Sequence, residues 1–287
     1  MEHWHKAIAE AIVDGKTRLA TGFSKVSQED AKIRAESAAR HAAERGARGE
    51  EGRDYPYGVR PLAEPVLREW RRDDGKLSGL LSVNTRGCVV LNTAAVMFVD
   101  VDLPKPPKAS AGLFGALFGR KAAAPAPAPA EPALAKLHAF VSAHPEWGFR
   151  VYRTAAGLRY LCTSALHDPA ASATLAILAE LGSDPLYIRL CEKQECFRAR
   201  LTPKPERVDK RAFRRHHHRD YGSTVAKPVA LAVAGTPPQS PYEIAAQKFA
   251  VCRFLAQTGA ATVHPEAQTV AAIHDRYTRP EAALPLA

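Results

Sequence analysis

Two aspartates one residue apart, Asp100 and Asp102, close the apolar run Val96-Met97-Phe98-Val99. Side chains alternate along a strand, so both carboxylates fall on one face, near enough to share a divalent ion. Hard oxygen ligands on a rigid strand are what metal-assisted phosphoryl transfer uses to join a cation to nucleotide phosphates. The alternative is that the two acids only cap the strand and start the next loop. Arg150, Arg153 and Arg159 flank a hairpin further on, where guanidinium groups could meet phosphate or simply face solvent. Cys191 and Cys196, five apart, could meet Cys162 or a histidine at a zinc ion, but the tight two-residue spacing of structural zinc sites is missing, so zinc is not expected.

Charge points toward a polyanion. The 287 residues carry a formal net charge of +10. The stretch from Lys193 to Arg219 alone has ten basic residues against three acids. Within it, Lys193, Arg198, Arg200, Lys204, Arg207, Arg211, Arg214 and Arg215 could track a nucleic-acid backbone, and Phe197 and Phe213, with Tyr221 just beyond the stretch, could stack on bases. A solvated basic loop is the other reading. His216-His217-His218 in the same stretch could hold a metal but reads rather as an incidental basic run, and His274-Asp275, a dipeptide of metal-dependent hydrolases, lacks their further ligands at recognisable spacing and reads as the end of a helix.

The elements that must hold these residues follow from periodicity. Residues 1–75 read as an N-terminal helical region and connector: helix formers run from Trp4 to about Ala47, Ser27 followed by Glu29 and Asp30 is a helix start, and a short helix or irregular segment leads through Trp70. Residues 76–205 form the core. Leu80–Val83 and Cys88–Leu91 are strands joined by Asn84-Thr85-Arg86-Gly87, and Ala95–Val101 is a third. Residues 104–132, rich in Pro and Ala, read as a flexible insertion. Then come a helix at Ala133–Ala143, strands at Phe149–Arg153 and Leu158–Thr163 around Ala155-Ala156-Gly157, a helix at Pro169–Leu181 closed by Gly182, and strand-like runs at Leu186–Cys191 and Cys196–Leu201.

The order is β-α-β-β-α-β, the split arrangement with two helices on one face of an antiparallel sheet, so the expected class is α+β with N-terminal and C-terminal helices. A basic linker, 206–240, leads to C-terminal helices in 241–287, one from Pro241 to about Thr258 and one from Pro265 to Tyr277, packed on the core. No run approaches the roughly 18 apolar residues of a membrane span, and Met1-Glu2-His3-Trp4-His5 lacks a signal-peptide core. The reading is a cytoplasmic protein without a membrane partner, its five cysteines reduced.

The sequence of an apolar strand, Asp-x-Asp, a helix, a strand, a Thr-x-x-Gly hairpin and a strand resembles the palm core of archaeo-eukaryotic primases and primase-polymerases over residues 95–203. In that family the first acid pair, matched by Asp100 and Asp102, binds metal. The hairpin motif touches the incoming nucleotide, and the matching stretch Tyr152 to Arg159 contains Arg153, Thr154, Gly157 and Arg159. A later metal-binding aspartate corresponds to Asp184. The resemblance implies a palm (RRM-like) sheet, Mg²⁺ or Mn²⁺, a nucleotide or nucleic-acid partner, and nucleotidyl transfer in DNA replication. Arg159 stands where the family carries a histidine, Ala156 replaces a hairpin glycine, and Pro185 follows Asp184. Arginine can grip a triphosphate but cannot shuttle a proton near neutrality. A non-catalytic DNA- or RNA-binding protein with a degenerate palm is therefore the rival reading, and a cyclase-like palm ranks below both.

Overall fold

The N-terminal segment begins with a turn that its composition conceals. Asp14 and Gly15 take left-handed backbone angles, φ 48° and 70°, the geometry of a two-residue hairpin turn. They join β1 (His5–Val13) to β2 (Lys16–Ser24), paired antiparallel from Val13↔Lys16 to His5↔Ser24. The expected helix at this end is thus a hairpin; local preference for helix yields to strand pairing and to the helix packed on it. That helix, α1 (Gln28–Ala47), starts where expected, with the Ser27 side chain accepting from the Asp30 N–H. Its buried stripe is Ala31, Ala35, Ala39 and Ala43. A Cβ on Gly22 would stand 2.1 Å from the Ala31 carbonyl oxygen, so only glycine lets β2 approach the helix backbone here.

The computed structural model describes residues 4–49, 62–84, 86–104, 129–208 and 241–287. Most of the inferred insertion and of the basic linker therefore lie outside the described residues.

Two four-stranded antiparallel sheets carry the core. One is ordered β3-β4-β5-β9. Its β4 (Leu77–Val83) and β5 (Val89–Thr93) are the expected hairpin, with Asn84 Oδ1 accepting from the Arg86 and Cys88 N–H groups and Gly87 at φ 75°. The segment through Trp70 is a strand, β3 (Val66–Arg71), and not a short helix. Trp70 pairs with Gly79, and the absent side chain makes room for the indole ring.

The second sheet is ordered β10-β7-β8-β6. It contains β6 (Phe98–Asp102), β7 (Gly148–Thr154) and β8 (Gly157–Cys162) as expected from their alternation. Helix α2 (Glu131–Ala143) covers one face: Phe140 meets Phe149 edge-on, and the Tyr160 hydroxyl donates to the Ala133 carbonyl. Helix α3 (Ser172–Glu180) follows, and Gly182 at φ 79° ends that region as its position suggested.

From there the structure departs from the anticipated series. Leu186–Cys191 lies in helix α4 (Pro185–Gln194), started by Asp184 as N-cap and by Pro185 in the first turn, where proline's missing N–H costs nothing. The next strand, β9 (Phe197–Arg200), does form, but it pairs with β5 in the other sheet. The fourth strand beside β7 is β10 (Cys252–Gly259), within the stretch expected to be a long helix. That helix is confined to α6 (Pro241–Ala246), which comes after the short α5 (Pro205–Val208). The last helix, α7 (Pro265–Thr278), is the expected one. The fold is mixed α and β with antiparallel sheets, and no helix among the described residues is long and apolar enough to cross a membrane.

Candidate functional site

The register of the second sheet sets the site. Asp100 on β6 pairs with Arg159 on β8, Arg159 with Tyr152 on β7, and Tyr152 with Phe254 on β10. These four form one row on the face away from α2. Asp102, two residues beyond Asp100, shares that face and is exposed. Asp184 joins them through the chain: its N–H donates to the Asp100 carbonyl at 2.9 Å, and the Ser183 hydroxyl donates to the same oxygen at 3.2 Å. Partial burial, and then the charges of Asp100 and Asp184, raise the Asp102 carboxyl above its ordinary range. Asp102 thus feels both other acids across β6 and the start of α4.

Cations surround them. Arg159, only 3% exposed, approaches Asp100 Oδ1 at 3.6 Å through one guanidinium nitrogen. Its other terminal nitrogen donates to the Arg200 carbonyl at 3.0 Å, while its Nε has no hydrogen-bond partner among the described residues. Arg200 is itself largely buried; desolvation and then the Arg159 charge lower its pKa. Lys204 is shifted down as well, by burial and by Arg200 and Arg207. Lys204 and Arg207 in turn pull against the rise at Asp102. The result is a carboxylate cluster on one sheet edge beside four basic side chains.

No group of three or more His, Cys, Asp or Glu side chains among the described residues is close enough to hold a metal ion by itself. Asp184 also has another duty, since its carboxylate accepts from the Leu186 N–H as the cap of α4. The donors fit Mg²⁺ or Mn²⁺ only in the manner of sites where one or two carboxylates share the ion with substrate phosphates.

A buried network braces Arg159 from behind. His274 on α7 is fully buried, its ring tilted against Tyr152 at 4.7 Å and Phe98 at 5.6 Å. Its Nδ1 lies 2.9 Å from Asp275 Oδ1 and its Nε2 3.3 Å from an Arg159 terminal nitrogen. A guanidinium can only donate, so Nε2 accepts and Nδ1 carries the proton to Asp275. Burial holds the His274 pKa down at about 4, despite the hydrogen bond to Asp275. Asp275 also accepts from the Tyr152 hydroxyl at 2.8 Å and from Arg150 at 2.6 Å. Burial pushes its carboxyl up, but these donors outweigh it and leave the pKa below the ordinary value. The sequence offers His274-Asp275 as a metal-dependent hydrolase dipeptide or, in preference, as the end of a helix, and neither reading provides for this network. The signal available was periodic: Ala267, Val270, Ala271, His274 and Thr278 are the buried face of α7, and a histidine on such a face needs partners.

The other expected residues sort by position. Arg153 pairs with Leu158, one register step from Arg159, so the two arginines lie on opposite faces of the sheet and do not converge on one phosphate. Arg150 shares the Arg159 face but is committed to Asp275 and Tyr152. Thr154 accepts from the Gly157 N–H and closes the hairpin. A Cβ on Gly157 would lie 1.9 Å from the Val101 carbonyl oxygen, so this glycine serves the β6–β8 contact. Arg198 is largely buried in an ion pair with Glu64 at 2.6 Å, and Lys193 sits beside Glu192 at 3.4 Å. The charges of Lys204 and Arg207 are felt at Asp102 and that of Asp100 at Arg200, whereas Arg211, Arg214 and Arg215, like His216-His217-His218, lie outside the described residues. All five cysteines are buried and free, and burial raises the Cys191 thiol pKa beyond the usual thiol range.

Comparison with protein-family models, with curated proteins and with solved structures found no match to this chain.

Proposed function

We propose that this protein binds the phosphates of a nucleotide or polynucleotide at the Asp100–Asp102–Asp184 edge and, with Mg²⁺ or Mn²⁺, transfers nucleotidyl groups there, on a sheet whose strand order differs from the split palm that the sequence resembles. The observation that carries the reading is geometric: Asp100 and Asp102 share one face of β6, the Asp184 N–H donates to the Asp100 carbonyl at 2.9 Å, and Arg159 stands 3.6 Å from the Asp100 carboxylate. Asp100 and Asp102 would hold the ion together with substrate phosphate, and the ion would neutralise charge developing on the transferred phosphoryl group. Lys204 and Arg207 would orient the triphosphate. Arg159, held by His274 and Arg200, would fix Asp100. The test is incorporation of a labelled nucleoside triphosphate into a primed template with Mn²⁺, comparing wild type with Asp102→Asn. Asp102 is exposed, so this variant is expected to fold. A loss of at least roughly 100-fold is expected for a metal-bridging carboxylate, and equal incorporation by both proteins overturns the catalytic reading.

One observation favours a second, non-catalytic reading. The Arg159 guanidinium already stands 3.6 Å from Asp100 and competes with a cation for it. A binding-only protein would hold nucleic acid with steep salt dependence and would bind equally well with Asp102→Asn.

A further inference from the structure

Helix α7 has a second face, turned toward the β3–β4 hairpin. Between them is a cavity of about 160 Å³ whose apolar wall is formed by Trp70, Leu81, Ile273 and Tyr277. An apolar cavity of roughly 150 Å³ is enough to take up one benzene ring. Arg68 from β3 and Arg276 from α7 line the same space, and both are exposed. Neither guanidinium has a hydrogen bond or an ion pair among the described residues, although Arg71, Arg72 and Arg150 on neighbouring strands and turns all have carboxylate partners.

An apolar slot sized for one ring, with two uncommitted cations at its edge, is complementary to a flat anion. We propose that this cavity is a binding site for a small aromatic carboxylate, separate from the acid cluster. The ring fills the space between Trp70 and Ile273, and the carboxylate accepts from Arg68 and Arg276. A neutral ring would leave the cations without a counter-charge, and an inorganic anion would leave the apolar wall uncovered.

The test is isothermal titration of the full chain with benzoate, benzyl alcohol and inorganic phosphate. Benzoate is expected to bind saturably, and benzyl alcohol and phosphate each at least about tenfold more weakly, the scale of one charge-assisted contact. Arg68→Gln/Arg276→Gln is expected to weaken benzoate by a similar factor. Both positions are exposed, and an unchanged thermal melt verifies the fold. Ile273→Trp is expected to fill the cavity and abolish binding. The proposal is overturned if benzoate does not bind, if benzyl alcohol binds as tightly as benzoate, or if benzoate affinity survives both variants.

Discussion

Acid should destabilise this protein through His274 before it protonates most of the carboxylates. The ring is fully buried, donates from Nδ1 to Asp275 and accepts at Nε2 from Arg159. Its pKa falls from an ordinary 6.5 to about 4 in the folded chain. Below pH 6.5 the unfolded chain takes up a proton that the folded chain refuses, so the stability present above that pH is lost as pH falls toward 4. Two and a half pH units at about 1.4 kcal/mol each make the full loss about 3 kcal/mol, and about 2 kcal/mol is gone by pH 5. Below about pH 4 the folded protein must charge the ring against Arg159, and the Arg159–Nε2 hydrogen bond breaks. The assay is urea unfolding of wild type and His274→Gln at several values between pH 5 and 8. Gln can still accept from Arg159 but cannot titrate, so its curve should lie lower, by about 1–3 kcal/mol at pH 8 for the lost Asp275 bond, and should be flatter toward pH 5. The two curves should converge as pH falls. Parallel curves would refute the reasoning, as would an imidazole NMR titration of His274 with a midpoint near 6.5.

Two more outcomes follow from the packing. Gly157→Ala should destabilise the fold by about 2–4 kcal/mol, because the new methyl meets the Val101 carbonyl and pries β6 from β8; a shift under 0.5 kcal/mol in chemical denaturation would contradict the close approach. Glu64→Gln should cost about 3 kcal/mol by leaving Arg198 largely buried without its counter-charge, while Glu64→Leu/Arg198→Met should recover most of that loss. Additive losses in the double variant would show that the pair is not coupled.

Much of the local structure is legible from turn and cap chemistry. Ser27 starts α1, Asn84–Gly87 turns β4 into β5, Ala155–Gly157 turns β7 into β8, and Gly182 follows α3, each because a short-range hydrogen bond or a left-handed residue acts within a few positions. The shared face of Asp100 and Asp102 is legible for the same kind of reason, since the two-residue period of a strand depends on nothing distant. Asp184 comes to that edge through the α3–α4 junction, a placement that its sequence position alone does not dictate.

What eluded the sequence is where long-range pairing overrides local preference. The alanines of β1 and β2 favour helix, yet the hairpin wins because α1 seals it at Gly22. Leu186–Cys191 has the composition of a strand but follows an N-cap and a proline, and Cys252–Gly259 is drawn out as an edge strand by β7. Residue types, strand period and turns were thus set by the chain itself. The partner of each sheet edge, the opposite faces of Arg153 and Arg159, and the meeting of Arg159 with His274, 115 positions away, were decided by tertiary structure. The free energy of such contacts comes from burying groups that are far apart in sequence, and nothing in the neighbourhood of either residue encodes it.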